Sequence, residues 1–96
     1  MLDELGRTPD EVAAAIRAHG ITGVRNTVRI LNPIVRYVTT QLPDARAIDL
    51  IQVDRLRIVF ASGATTEVPV PDGVRRFLEM FHRGEYPDLE MPTDPG

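Results

Sequence analysis

The segment from residue 72 to residue 84 constrains the fold of this chain more than any other. Its large apolar side chains recur at the spacing that places them on one face of an α-helix: Val74, Phe77, Leu78 and Phe81. Two of the three Phe residues lie in this segment, and the chain has no Trp. The sequence therefore predicts that this helix organises the hydrophobic core, where each large buried side chain contributes about 1.5–3 kcal/mol.

The length of 96 residues is enough for one hydrophobic core and one domain. We expect a single α+β domain over residues 1–91 and a flexible C-terminal tail at residues 92–96. Cysteine is absent, which excludes disulfides and thiolate metal sites. The acidic N-terminal segment lacks the apolar run of a signal peptide, and no apolar run approaches the length of about 18 residues that a membrane span requires. A cytoplasmic protein that does not enter the membrane is expected.

The first predicted helix begins after Thr8. The Thr8 side chain can cap free backbone amides, Pro9 suits the first helical position, and Glu11 completes a capping box. Gly20 is a typical stop, because glycine adopts the left-handed conformation that ends many helices.

A second helix is predicted to begin at Asn32, followed by Pro33, and to end before Pro43. The preceding segment, residues 21–31, is compatible with a short strand. It is equally compatible with a loop that places Val28 and Ile30 on the core, and the sequence leaves both alternatives open.

From residue 45 the hydrophobic period changes to alternation, which predicts three strands at residues 45–53, 56–61 and 65–70. Ser62 and Gly63 indicate a turn between the second and third strands. The short links favour an antiparallel meander. Pro69 has no amide to donate, so the third strand should lie at an edge of the sheet or end there.

The predicted order is α-(loop)-α-β-β-β-α, with the helices covering one face of the sheet in a two-layer α+β fold. Such a sheet has two free edges, and proteins usually block or use them. Pro69 removes one hydrogen-bond donor from one edge, which opposes pairing there. If the first strand forms the other edge, it can pair with a second copy of the chain, and Ile51 and Val53 would add an apolar contact.

Scattered positions over most of the chain resemble a pattern found in small uncharacterised α+β proteins of GC-rich bacteria. The matching residues are Thr8-Pro9-x-Glu11-Val12-Ala13-x-x-Ile16-Arg17-x-x-Gly20-Ile21-x-Gly23, Pro33-Ile34-x-x-Tyr37-Val38, and Phe77-x-x-x-Phe81-x-x-Gly84-x-Tyr86-Pro87-x-Leu89. The resemblance implies a bacterial cytoplasmic protein and no particular chemistry, since these positions are caps, helix stops and core residues.

Candidates for catalysis and metal binding are few. Ser62 lies in the predicted turn and has no nucleophile-elbow pattern around it. His82 has a Glu three residues to either side, which allows a metal site, but a cation at a helix C-terminus is the simpler role for both His82 and His19. No glycine-rich phosphate loop is present. We predict no catalytic residue, metal ligand, cofactor or small-molecule substrate, and a small hydrolase-like enzyme is a remote alternative.

The charge distribution is uneven. Residues 12–43 carry four Arg and no acid, whereas residues 1–11 hold four acids and one Arg and residues 85–96 hold four acids. The candidate partner-binding residues are Arg25, Arg29, Arg36 and Tyr37, which we call the arginine segment. Its Arg side chains can pair with the acidic ends of the same molecule, with an acidic protein partner, or with nucleic acid.

These observations favour a small non-enzymatic protein–protein interaction or adaptor domain that self-associates, as a homodimer, in a bacterial cytoplasm. The alternative is a weak nucleic-acid-binding regulator that uses the arginine segment. This prediction depends mainly on the missing catalytic, cofactor and metal patterns.

Overall fold

The computed structural model describes residues 2–25, 31–51 and 54–90. Within these ranges it contains three α-helices, α1 (Pro9–Ala18), α2 (Pro33–Gln41) and α3 (Asp72–His82). Its three strands are β1 (Ala45–Ile51), β2 (Arg55–Phe60) and β3 (Thr65–Pro69), and two short 3-10 helices span Leu2–Leu5 and Pro87–Leu89. The order α-α-β-β-β-α with an antiparallel sheet confirms the predicted α+β fold.

The start of α1 carries the predicted capping box. Thr8 Oγ1 accepts a hydrogen bond from the Glu11 amide at 3.2 Å, and the Glu11 carboxylate accepts one from the Thr8 amide at 3.2 Å. The Arg7 amide donates to the same carboxylate at 2.9 Å, and these backbone donors lower the pKa of Glu11. Gly20, with φ of 67°, adopts the left-handed conformation just after the helix, as predicted.

Asn32 caps α2 from a fully buried position. Its side-chain oxygen accepts hydrogen bonds from the amides of Ile34 at 2.9 Å and Val35 at 3.3 Å. This geometry confirms the predicted cap. Residues 26–30, with Val28 and Ile30, lie outside the described residues, so neither the strand nor the loop alternative is decided for them.

The sheet has the order β1-β2-β3, and both pairs are antiparallel. One face carries the rows Ile48–Ile58 and Leu50–Leu56, whose four side chains are all buried in the core. β3 is an edge strand and ends at Pro69, as predicted. β1 forms the other edge and is described to Ile51; the predicted extension to residue 53 lies outside the described residues.

The core is organised around α3, as the sequence predicts. All four stripe residues of α3 are buried, and the Phe77 ring stacks on Phe81 with centroids 5.9 Å apart and lies 5.2 Å from the Tyr86 ring. α3 packs against α1, and α2 packs against β1. Leu89 is also buried, which confirms that the segment after α3 docks on the core. The contribution of the first 3-10 helix, with Leu2 and Leu5 buried, was not predicted.

Replacing Phe77 with alanine should lower the free energy of unfolding by about 3–5 kcal/mol, because the side chain is fully buried and its loss leaves a cavity. Urea unfolding followed by circular dichroism measures this change. Arg76→Ala on the exposed side of the same helix is the control and should change stability by at most about 0.5 kcal/mol. Equal effects of the two variants would contradict the proposed core.

Candidate functional site

Two of the four arginines in residues 12–43, which we call the basic stretch, lie against the C-terminal segment of the same chain. They are Arg17 and Arg25. Arg17 Nε is 2.7 Å from Asp88 Oδ2, and Arg25 Nε is 3.0 Å from Glu90 Oε1. The guanidinium of Arg17 lowers the pKa of the Asp88 carboxyl group by hydrogen bonding to it. Both pairs are substantially exposed, so each contributes little to stability. These contacts are those expected if the arginines neutralise an acidic end of their own molecule.

The remaining described residues of the arginine segment also contact their own chain. Arg36 Nη1 donates to the carbonyl oxygen of Thr22 at 2.5 Å. Tyr37 is only 3% exposed, its hydroxyl donates to the Glu4 carboxylate, and the edge of its ring meets His19 at a centroid distance of 5.1 Å. Arg29 lies outside the described residues.

The segment before residue 26 is held by backbone as well as side-chain bonds. The Gly23 amide donates to the Leu89 carbonyl at 2.9 Å, and Gly23 forms a parallel bridge with Glu90. A Cβ atom at Gly23 would lie 2.5 Å from Pro33 Cδ, so glycine permits this close approach. The Gly23 backbone, with Arg25 and Arg36 beside it, thus forms a packed junction among α1, α2 and the C-terminal segment.

The side chains considered for catalysis have local structural contacts. Ser62 lies in the β2–β3 turn, where its hydroxyl accepts a hydrogen bond from the Ala64 amide at 3.4 Å. His19 Nδ1 is 2.8 Å from the Ala15 carbonyl oxygen. Burial lowers the pKa of His82, which favours the neutral imidazole. Among residues 2–25, 31–51 and 54–90, no group of three His, Asp or Glu side chains is placed to hold a metal ion.

The outer edge of β1 is an open edge of the sheet. A groove of about 390 Å³ runs beside it. The groove is lined by residues of α2 and β1, namely Val35, Thr39, Ala45, Arg46, Ala47, Ile48 and Asp49. No strand in the described part of the chain pairs with this edge. The sequence predicted an edge here but contains no signal for the groove, which depends on how α2 packs.

The hydrogen bonds of β2 determine which groups of β1 face this edge. The Phe60 amide donates toward β3, to Ala64, whereas the next amide, Ala61, donates toward β1, to Asp44. Because backbone groups alternate in direction along a strand, Val59 faces β1 and pairs with Ala47. The N–H and C=O groups of Ile48 and Leu50 consequently point to the open edge.

A shift in register modifies the start of β1. Ala45 is opposite Phe60 and Ala47 is opposite Val59, so Arg46 is the extra residue, as in a β-bulge. Ala45 packs against the core, while Arg46 and Ala47 are both exposed. Arg46 precedes the partly buried Asp49 by three residues along the chain. Because the bulge places Arg46 and Ala47 at one position of the ladder, the two charges are two ladder positions apart.

The opposite edge of the sheet, on β3, differs in character. Pro69 lacks an amide hydrogen, and Glu67 forms an exposed ion pair with Arg55 of β2 at 3.4 Å. Proline and charged side chains are common means of keeping an edge strand from pairing. The two edges are thus unequal. The edge of β3 has Pro69, a charged pair and a pocket of about 230 Å³, whereas the edge of β1 has outward-facing N–H and C=O groups at Ile48 and Leu50 and a groove of about 390 Å³.

None of the helices in the described ranges combines the length and the apolar character that crossing a membrane requires. Comparison with models of known protein families, with curated proteins and with solved structures found no match to this chain.

The two tyrosines of the chain provide a test of the junction. Burial raises the pKa of Tyr37 and of Tyr86 to about 12. A hydrogen bond from each hydroxyl to a carboxylate acts in the same direction: Tyr37 donates to Glu4, and Tyr86 donates to Asp10. Tyrosinate absorbance in the native protein should therefore appear near pH 12 instead of about 10, the value expected in urea.

Since the folded-state pKa values are raised, their contribution to stability is complete below pH 10 and declines as the pH rises from about 10 to about 12. Spectrophotometric titration together with urea unfolding at each pH measures both effects. A native midpoint near pH 10 would show that these hydroxyl groups are exposed to solvent and would contradict the junction.

Proposed function

We propose that this protein is a small non-enzymatic protein–protein interaction domain that self-associates through the open edge of β1, and that it acts as an adaptor in a bacterial cytoplasm. The observation that carries the proposal is the unequal pair of sheet edges. β1 presents the backbone groups of Ile48 and Leu50 beside a groove, whereas β3 ends in Pro69.

Addition of a strand to an open sheet edge is a common mode of protein recognition. The main-chain hydrogen bonds supply affinity, and the groove beside the strand supplies contacts for side chains. Val35 of α2 and Ala45 of β1 give the groove an apolar component, while Arg46 and Asp49 add one charge of each sign. A complementary β-strand fits this combination of groups.

We place the interaction on β1 and not on the arginine segment. Arg25 binds Glu90 and Arg36 binds the Thr22 carbonyl, so a partner at either residue would have to displace a contact within the chain. The same contacts give the nucleic-acid alternative less support than the edge-pairing proposal, because phosphate binding depends on accessible cations.

Light scattering on the concentrated protein should give twice the monomer mass of 10.7 kDa. Ala47→Asp should raise the dissociation constant of the dimer at least about tenfold, equivalent to about 1.4 kcal/mol. The added carboxylate faces outward on the edge strand and would meet acidic Asp49 or a second copy of itself in a paired strand.

Thr65→Asp is the matched control. Ala47 of β1, Val59 of β2 and Thr65 of β3 form one cross-strand row, so Ala47 and Thr65 lie at opposite edges of the sheet. It adds the same charge and should leave the dimer unchanged. A wild-type mass of 10.7 kDa at high concentration, or equal weakening by both variants, would contradict the proposed use of β1.

A further inference from the structure

We infer that the occupant of the open edge is the β1 strand of a second copy, paired antiparallel about a two-fold axis at Ile48. This inference rests on the proposed function and adds a register to it. Ile48 of each copy would exchange backbone hydrogen bonds with Ile48 of the other, and the two three-stranded sheets would join into one sheet of six strands.

The direction of the backbone groups restricts the registers. In a two-fold antiparallel pair, the axis passes through the midpoint between two copies of one residue, and opposite residues face the same side of the sheet. An axis at Ile48 or Leu50 lies at a hydrogen-bonded pair, because these residues direct N–H and C=O outward. An axis at Ala47 or Asp49 lies at a non-hydrogen-bonded pair.

The side chains and the bulge then distinguish these registers. An axis at Asp49 would place two carboxylates opposite each other, with Cα atoms about 4.5 Å apart, which is unfavourable. An axis at Ala47 would pair the outward backbone groups of Ile48 with those of Arg46, the extra residue of the bulge, where the ladder is disrupted. An axis at Leu50 would set Asp49 against the apolar side chain of Ile51.

The axis at Ile48 avoids these conflicts and pairs opposite charges. It places Ala47 opposite Asp49 of the second copy, where the small alanine side chain leaves room. Arg46 is the extra residue of the bulge and is exposed beside Ala47, so its guanidinium can reach the same Asp49. Symmetry produces this contact twice. Asp49 also lies opposite Arg57 of its own β2, which places it between two cations.

The groove is consistent with this arrangement. The residues that line it include Val35 of α2 and Ile48 of β1. The inward-facing Ile48 of the second copy would lie on the same side of the joined sheet as α2. It would therefore contact the apolar residues of the groove, while Arg46 and Asp49 of the second copy would meet the charged residues that also line it.

Cysteine cross-linking tests the register directly, because the chain has no native cysteine. Ala47→Cys and Asp49→Cys are prepared as separate proteins. With the axis at Ile48, positions 47 and 49 of different copies form a non-hydrogen-bonded pair with Cα atoms about 4.5 Å apart, within the range of a disulfide. Identical positions are two residues out of register and too far apart to be bridged without backbone movement.

Under mild oxidation, an equimolar mixture of the two proteins should form the mixed disulfide at least about tenfold faster than either protein alone forms its own dimer. Intact mass spectrometry identifies the product, and light scattering of each reduced variant confirms that it still associates. Thr65→Cys, on the opposite edge, is the control and should form no rapid disulfide with either protein.

Rapid cross-linking of Ala47→Cys alone would move the axis to Ala47, and rapid cross-linking of Asp49→Cys alone would move it to Asp49; either result overturns the register. An absence of all three disulfides in a protein that still dimerises, and that Ala47→Asp still dissociates, would overturn the register but leave edge association intact. A monomeric wild-type protein would instead overturn the proposed function itself.

Discussion

Burial of the apolar stripe of α3 is the interaction on which the rest of the structure depends. The Phe77 ring contacts Phe81 within the helix and Tyr86 beyond it, so one fully buried side chain joins α3 to the C-terminal segment. α1 packs on the same helix. In a chain with three Phe and no Trp, few other side chains are large enough to fill this position. α3 therefore joins α1 to the C-terminal segment, and the buried face of the sheet contributes Ile48, Leu50, Leu56 and Ile58 to the same core.

Once Tyr86 is fixed, the acidic C-terminal segment has a definite place along α1, from the first turn of the helix to its last. The Tyr86 hydroxyl donates to Asp10 at 2.9 Å, and Asp88 and Glu90 reach Arg17 and Arg25. The uneven charge along the sequence thus has a structural use, since the basic stretch and the acidic end meet at one junction. The pairs are exposed and individually weak, so they select the position of the segment more than they stabilise it.

Much of the fold could be predicted because each main element has a clear local signal: a capping box at Thr8, a cap at Asn32, alternation in β2 and the stripe of α3. The 3-10 helix with Leu2 and Leu5 was missed because a single turn has no hydrophobic period to detect. The shift in register at Arg46 and the groove beside β1 were missed for a different reason. Both depend on how separate elements pack, and such contacts leave no pattern within one segment.

The open edge of β1 carries features that both limit and direct pairing. Charged side chains and bulges normally protect edge strands from aggregation. Here Arg46 and Asp49 have opposite signs, so they oppose an apolar strand but complement a reversed copy of themselves. The bulge restricts regular pairing to the residues after Arg46, and the other edge ends in Pro69. A two-fold interface that uses the same edge of both copies is closed, so the sheet would stop at six strands and not extend into a fibre.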